Sequence, residues 1–178
     1  VSRRLNQPQR NPYCVRPKLE TFQAKEDTDC TGLVLDRGAQ HMLTKEDIVS
    51  KVKALSLPKD SYIVFGSGSL AALGIREVND IDLLVSKETY EELKKRGWQK
   101  LFKGPNDYPL VYDVFEAHDN WNFSSYNPTL KELLANAIYI DGISFASIRD
   151  VRKWKTVSGG PKHIADIKLI DIYNQKAT

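Results

Sequence analysis

The chain has 178 residues, 41% of them hydrophobic and 28% charged, with a formal charge of +3 at neutral pH. That length suits one domain with an appendage, and the composition is that of an ordinary globular protein able to bury a core. No apolar run approaches membrane-spanning length, and residues 42–178 hold 19 basic against 18 acidic side chains, which gives no support for a nucleic-acid-binding face.

Residues 1–41 differ in character from the rest of the chain. Pro8, Pro12 and Pro17 interrupt every candidate helix, and no apolar period persists. The single methionine, Met42, is followed at once by a capping box, Thr44-Lys45-Glu46-Asp47. The expectation is a disordered extension over 1–41 and a folded domain over 42–178, with an ordered N-terminal arm as the alternative. Cys14 and Cys30 have no partners at metal-ligand spacing, so free thiols are expected, or else one disulfide between them. With no secretory pattern of basic, apolar and small residues, a cytoplasmic location is expected.

Thr44 to Leu55 reads as an amphipathic helix with Ile48, Val52 and Leu55 on one face. Ser61 to Phe65 is a β-branched, apolar strand that stops at Gly66. Ser69 to Leu73 allows a short helix closed by Gly74, and a second strand begins around Asp80. Ser86 caps a helix over Lys87 to Arg96, and Gly97 ends it. Trp98 to Lys103 allows a short strand, Gly104 to Asp107 a turn, and Leu110 to Glu116 one continuous strand. His118 to Asn127 is a polar, aromatic loop carrying Trp121, Phe123 and Tyr126, read as core filling or as a stacking surface. Asn127 and Pro128 read as N-cap and first residue of a helix running to about Asn136. Tyr139 to Phe145 is a hairpin turning at Asp141-Gly142. Ser147 to Asp150 caps a helix through Lys155, and a last helix spans Lys162 to about Asn174. The order implies an α/β (α+β) domain with a mixed sheet flanked by helices, more helices closing the chain.

The chemistry concentrates between the first two strands. Asp80 and Asp82 alternate with Ile81 and Leu83, so both carboxylates point to one face. Two like charges so placed repel each other, and a divalent cation such as Mg²⁺ would relieve the repulsion. The glycine turn at Gly66-Ser67, just upstream, offers a phosphate cradle. Phosphate and metal sites side by side suit phosphoryl or nucleotidyl transfer; the alternative is a plain turn and a solvated strand end. Asp113 reads as a charge in mid-strand, where it needs either a function or a surface lysine as partner.

Phe65-Gly66-Ser67, a spacer of twelve residues and Asp80-Ile81-Asp82-Leu83 together resemble the signature of the polymerase-β-like nucleotidyltransferase superfamily. Gly159-Gly160-Pro161-Lys162-His163-Ile164-Ala165-Asp166-Ile167 resembles a Gly-x-Pro-Lys-Asp-x-x-Asp-Ile pattern of small bacterial nucleotidyltransferase-like proteins, among them those akin to lincosamide-type antibiotic nucleotidyltransferases. His163 stands where Asp is more usual in that pattern. The resemblance implies a nucleotidyltransferase fold in which Asp80, Asp82 and Asp113 bind Mg²⁺ or Mn²⁺. Asp113 would also act as general base toward the acceptor. Gly66, Ser67 and Lys162 would bind the nucleoside triphosphate. For Lys162 the plain alternative is a solvated lysine at a helix start, with Asp166 bonding locally. Arg76 and Lys103 are further cations that no pattern places.

The implied activity is transfer of a nucleoside monophosphate group to an unidentified hydroxyl or amine acceptor, a small molecule, a protein or an RNA end. The rival is a partner-binding component of a toxin–antitoxin or abortive-infection pair, with or without transfer. Nucleotidyl transfer through these residues requires Asp113 to converge with Asp80 and Asp82.

Overall fold

A computed structural model describes residues 42–122 and 125–176; the expectations for 1–41, for Cys14 and Cys30, and for Phe123 fall outside the described residues. Helix α1 (Lys45–Ala54) starts at the expected capping box, with the Asp47 N–H donating to Thr44 and the Thr44 N–H donating back to the Asp47 carboxylate. Then come β1 (Tyr62–Phe65), α2 (Ser67–Ala72), β2 (Ile81–Val85), α3 (Lys87–Lys95), β3 (Gln99–Lys100), β4 (Leu110–Tyr112) and β5 (Phe115–His118). The chain continues through α4 (Leu130–Ala135), β6 (Ile138–Ile140), β7 (Ile143–Phe145), α5 (Ile148–Ser158) and α6 (Pro161–Lys176).

The strands form one sheet in the order β3-β4-β5-β2-β1-β7-β6. It is mixed: β2 runs parallel to β5 and β1 parallel to β7, and the other pairs are antiparallel. The expected mixed sheet with flanking helices and closing C-terminal helices is therefore the observed architecture. None of the described helices is long and apolar enough to cross a membrane.

Strand period two divides the core between the sheet's faces. On one side Val64, Leu83, Val85 and Ala117 pack with Ile48, Val52 and Leu93 from α1 and α3. On the other, Ile63, Phe65 and Leu84 meet Trp121, Val151, Trp154 and Ile170. Phe65 stands edge-on to Trp121 at 4.6 Å between ring centres. Asp82 lies opposite Phe65 in the β1–β2 ladder, so this second face leads straight to the carboxylates.

Two expectations are corrected. The strand read over Leu110 to Glu116 is a hairpin, because the chain reverses at Asp113-Val114 and Tyr112 pairs with Phe115. Asp113 takes φ of +50°, a left-handed conformation that Asp tolerates better than most residues. The strand-like run of apolar residues conceals the reversal. Helix α4 is capped by Thr129 rather than Asn127, with the Glu132 side chain reaching back to the Thr129 N–H. The Asp141-Gly142 turn forms as expected, both residues at positive φ.

Replacing Thr129 by Ala removes an N-cap and should lower unfolding free energy by about 1 kcal/mol in a urea titration. Asn127→Ala should change it by less than about 0.5 kcal/mol.

Candidate functional site

β1 ends at Phe65, and Gly66 turns the chain into α2 with φ of +64°. A Cβ on residue 66 would stand 2.5 Å from Asp82 Oδ2, so glycine is what lets the carboxylate lie against the turn. Ser67 opens α2. With only six residues, that helix contributes little dipole, and charge around Ser67 comes from side chains instead.

Ser67 Oγ accepts hydrogen bonds from Arg76 Nη2 (2.9 Å) and Lys155 Nζ (3.2 Å). Both lone pairs are thereby engaged, and the hydroxyl proton is left to donate. The two cations converge in turn on Asp166 of α6: Arg76 in a two-pronged pair at 2.6 and 2.9 Å, Lys155 at 2.8 Å. Lys155 and Asp166 are buried. Burial pushes the Asp166 carboxyl up, but the bonds from Arg76 and Lys155 outweigh it and hold the group below its usual range. Burial pulls the Lys155 ammonium down against the raising effect of Asp166.

Facing this cationic knot is the acidic part of the sheet. β2 and β5 run parallel with Asp82 level with Glu116, and His118 comes two residues later on the same face. One ligand atom each from Asp82, Glu116 and His118 all lie within 4.8 Å of one another. Burial, with Asp80 and Glu116 nearby, raises the Asp82 carboxyl to about 7. Burial, then the charge of Lys103, lowers His118 to about 4, which keeps its imidazole neutral. Lys103 forms an ion pair with Glu116. Burial alone would depress Lys103, yet Glu116, Asp82 and Asp80 raise it.

Both halves border one cavity of about 220 Å³. Asp80, Asp82 and Glu116 line its sheet side; Trp154, Lys155, Lys162 and His163 line its helix side, with Ser67 between. Trp154 Nε1 and His163 Nδ1 are buried polar atoms with no hydrogen-bond partner. A larger, shallower groove of about 690 Å³ beside Leu130 and Leu134 gathers no cluster of metal ligands among the described residues.

The structure thus brings together Gly66, Ser67, Asp80, Asp82 and Lys162. Asp113 is not among them. It sits exposed at the β4–β5 turn and pairs with Lys51 at 2.7 Å, the surface-lysine alternative of the sequence reading. The third carboxylate is Glu116, which the reversal at Asp113-Val114 carries onto β5 opposite Asp82. Asp166 bonds across 90 residues to Arg76 rather than locally. Trp121 is core, and Tyr126 donates to Asp150 at 3.1 Å.

No family model, curated protein or solved structure matches this chain. Its chemistry therefore rests on its own residues. His118 and Lys155 are site residues that sequence reasoning passed over. For Lys155 a signal existed: it lies next to Trp154 on the buried stripe of α5, where a lysine needs an anion.

Asp166→Ala leaves two cations, one of them buried, without a counter-charge and should cost about 3–5 kcal/mol, read from chemical denaturation. Asp82→Asn, which relieves crowded negative charge, should leave the melting temperature of the metal-free protein unchanged or raised.

Proposed function

We propose that the protein transfers a nucleoside monophosphate group from a nucleoside triphosphate to a hydroxyl or amine acceptor. The acceptor's oxygen or nitrogen bonds to the α-phosphorus, the bond from that phosphorus to its β-bridging oxygen breaks, and pyrophosphate leaves. The observation that carries this is the adjacency, across one small cavity, of an acidic cluster and a cationic knot around Ser67. A triphosphate with its cation needs both at once.

The carboxylate oxygens of Asp82 and Glu116 fit Mg²⁺ or Mn²⁺, and Asp80 lines the cavity beside them. When bound, the ion neutralises charge on the triphosphate and on the leaving pyrophosphate. Ser67 gives its hydroxyl proton to a phosphate oxygen. Lys162, exposed at the start of α6, adds a mobile positive charge. Lys155 and Arg76 present a fixed positive field to the phosphates, and Asp166 positions both. The part that sequence assigns to Asp113, receiving the acceptor's proton, passes to Glu116 on this geometry. Catalysis here rests on preorganised charge and placement, without a protein nucleophile.

Incubation with α-³²P-labelled nucleoside triphosphates, Mg²⁺ or Mn²⁺ and cell extract should transfer label to an acceptor. Asp82→Asn and Glu116→Gln should each reduce transfer at least about a hundredfold, while Asp113→Asn leaves it unchanged. Absence of both label transfer and nucleotide-dependent thermal stabilisation would favour the partner-binding alternative.

A further inference from the structure

Beside the carboxylates stands a buried histidine to which nucleotidyl transfer through Asp82, Glu116 and Ser67 gives no part. His118 is 6% exposed, lies against Trp121 with 4.8 Å between ring centres, and offers a ring nitrogen within 4.8 Å of ligand atoms of both Asp82 and Glu116. A second, separate observation concerns Asp107. Asp107 Oδ1 is buried without a hydrogen-bond partner and stands 3.7 Å from His118 Nδ1. The tight turn over 104–107 holds it there, its backbone bonded to Gly104 and Lys103. Histidines that ligate metals characteristically present one ring nitrogen to the ion and the other, as N–H, to a carboxylate.

We infer that His118 is a third ligand of the cation site, binding through Nε2 with Asp107 behind Nδ1, and that the site prefers a first-row transition ion to Mg²⁺. The preference comes from the donor set. Mg²⁺ favours oxygen and holds its waters tightly, whereas imidazole nitrogen suits Mn²⁺ weakly and Co²⁺ or Zn²⁺ strongly. Lys103, now paired with Glu116, gives up that carboxylate when the ion enters. A purely structural histidine, packed on Trp121 and indifferent to metal, is the competing account. The inference uses the same carboxylate pair as the proposed function and goes further by assigning the nitrogen donor and the class of ion.

Titration calorimetry on the metal-free chain with MgCl₂, MnCl₂ and CoCl₂ tests it, together with pulsed electron paramagnetic resonance of the Mn²⁺ form. Expected are Co²⁺ binding at least about tenfold tighter than Mg²⁺, and nitrogen modulation in the Mn²⁺ signal. His118→Gln should erase both while leaving Mg²⁺ affinity within about twofold, and Asp107→Asn should weaken Co²⁺ about tenfold. Should His118→Gln fail to fold, Asp107→Asn and the nitrogen signal of the unaltered protein decide the matter. Equal affinities for Co²⁺ and Mg²⁺, or Mn²⁺ bound without nitrogen modulation, would overturn the inference. If Asp82→Asn abolishes Mn²⁺ binding while His118→Gln changes nothing, the histidine ligand is refuted and the carboxylate site survives. A nitrogen-ligated ion in a protein that transfers no label would leave the inference standing and the transferase function refuted.

Discussion

One carboxylate, Asp166, receives two cations that stand far apart in the chain. Arg76 sits in the connection before β2, and Lys155 on α5. The connection before β2 and the distant α5–α6 pair are therefore locked together beside Ser67. Such an arrangement is costly to bury in parts and tolerable only whole, since each charge depends on the other two. It also leaves an excess of one positive charge beside the Ser67 hydroxyl. The C-terminal helical hairpin thus serves as one wall of the cavity as well as a cover for the sheet.

The acidic half depends on register rather than on ion pairing. Phe65, Asp82 and Glu116 stand level across β1, β2 and β5. Apolar packing of Ile63, Phe65 and Leu84 against Trp121 and Trp154 holds those strands in place. The same side of the sheet is dry in its middle and acidic at its end. The carboxylate cluster and the core packing thus share a surface, and the burial that raises the Asp82 carboxyl comes with that sharing.

Much of this was legible from local pattern. The capping box at Thr44, the cap at Ser86 and the Asp141-Gly142 turn are signals complete within a few residues, and each forms where expected. Ser67, Asp80, Asp82 and Lys162 were likewise readable and reach one cavity, with Gly66 set against Asp82. What escaped was anything set by tertiary pairing. Val111, Val114 and Phe115 look continuous on paper, and only the β4–β5 ladder shows that the chain doubles back between them. Lys155 and His118 owe part of their importance to neighbours dozens of residues away, Ser67 for the lysine and Asp82 for the histidine.

That reversal between β4 and β5 acts as a parity setting. It occupies two residues, Asp113 and Val114, and the strand after it turns Glu116 and His118 toward the cavity that Asp82 also lines. Sliding β5 by a single residue would exchange them for Phe115 and Ala117, presenting apolar side chains to the cavity. The same slip would push Glu116 and His118 into the apolar core that Phe115 and Ala117 fill on the other face. Hairpin length at this one corner therefore sets at once which side chains fill the core and which line the cavity.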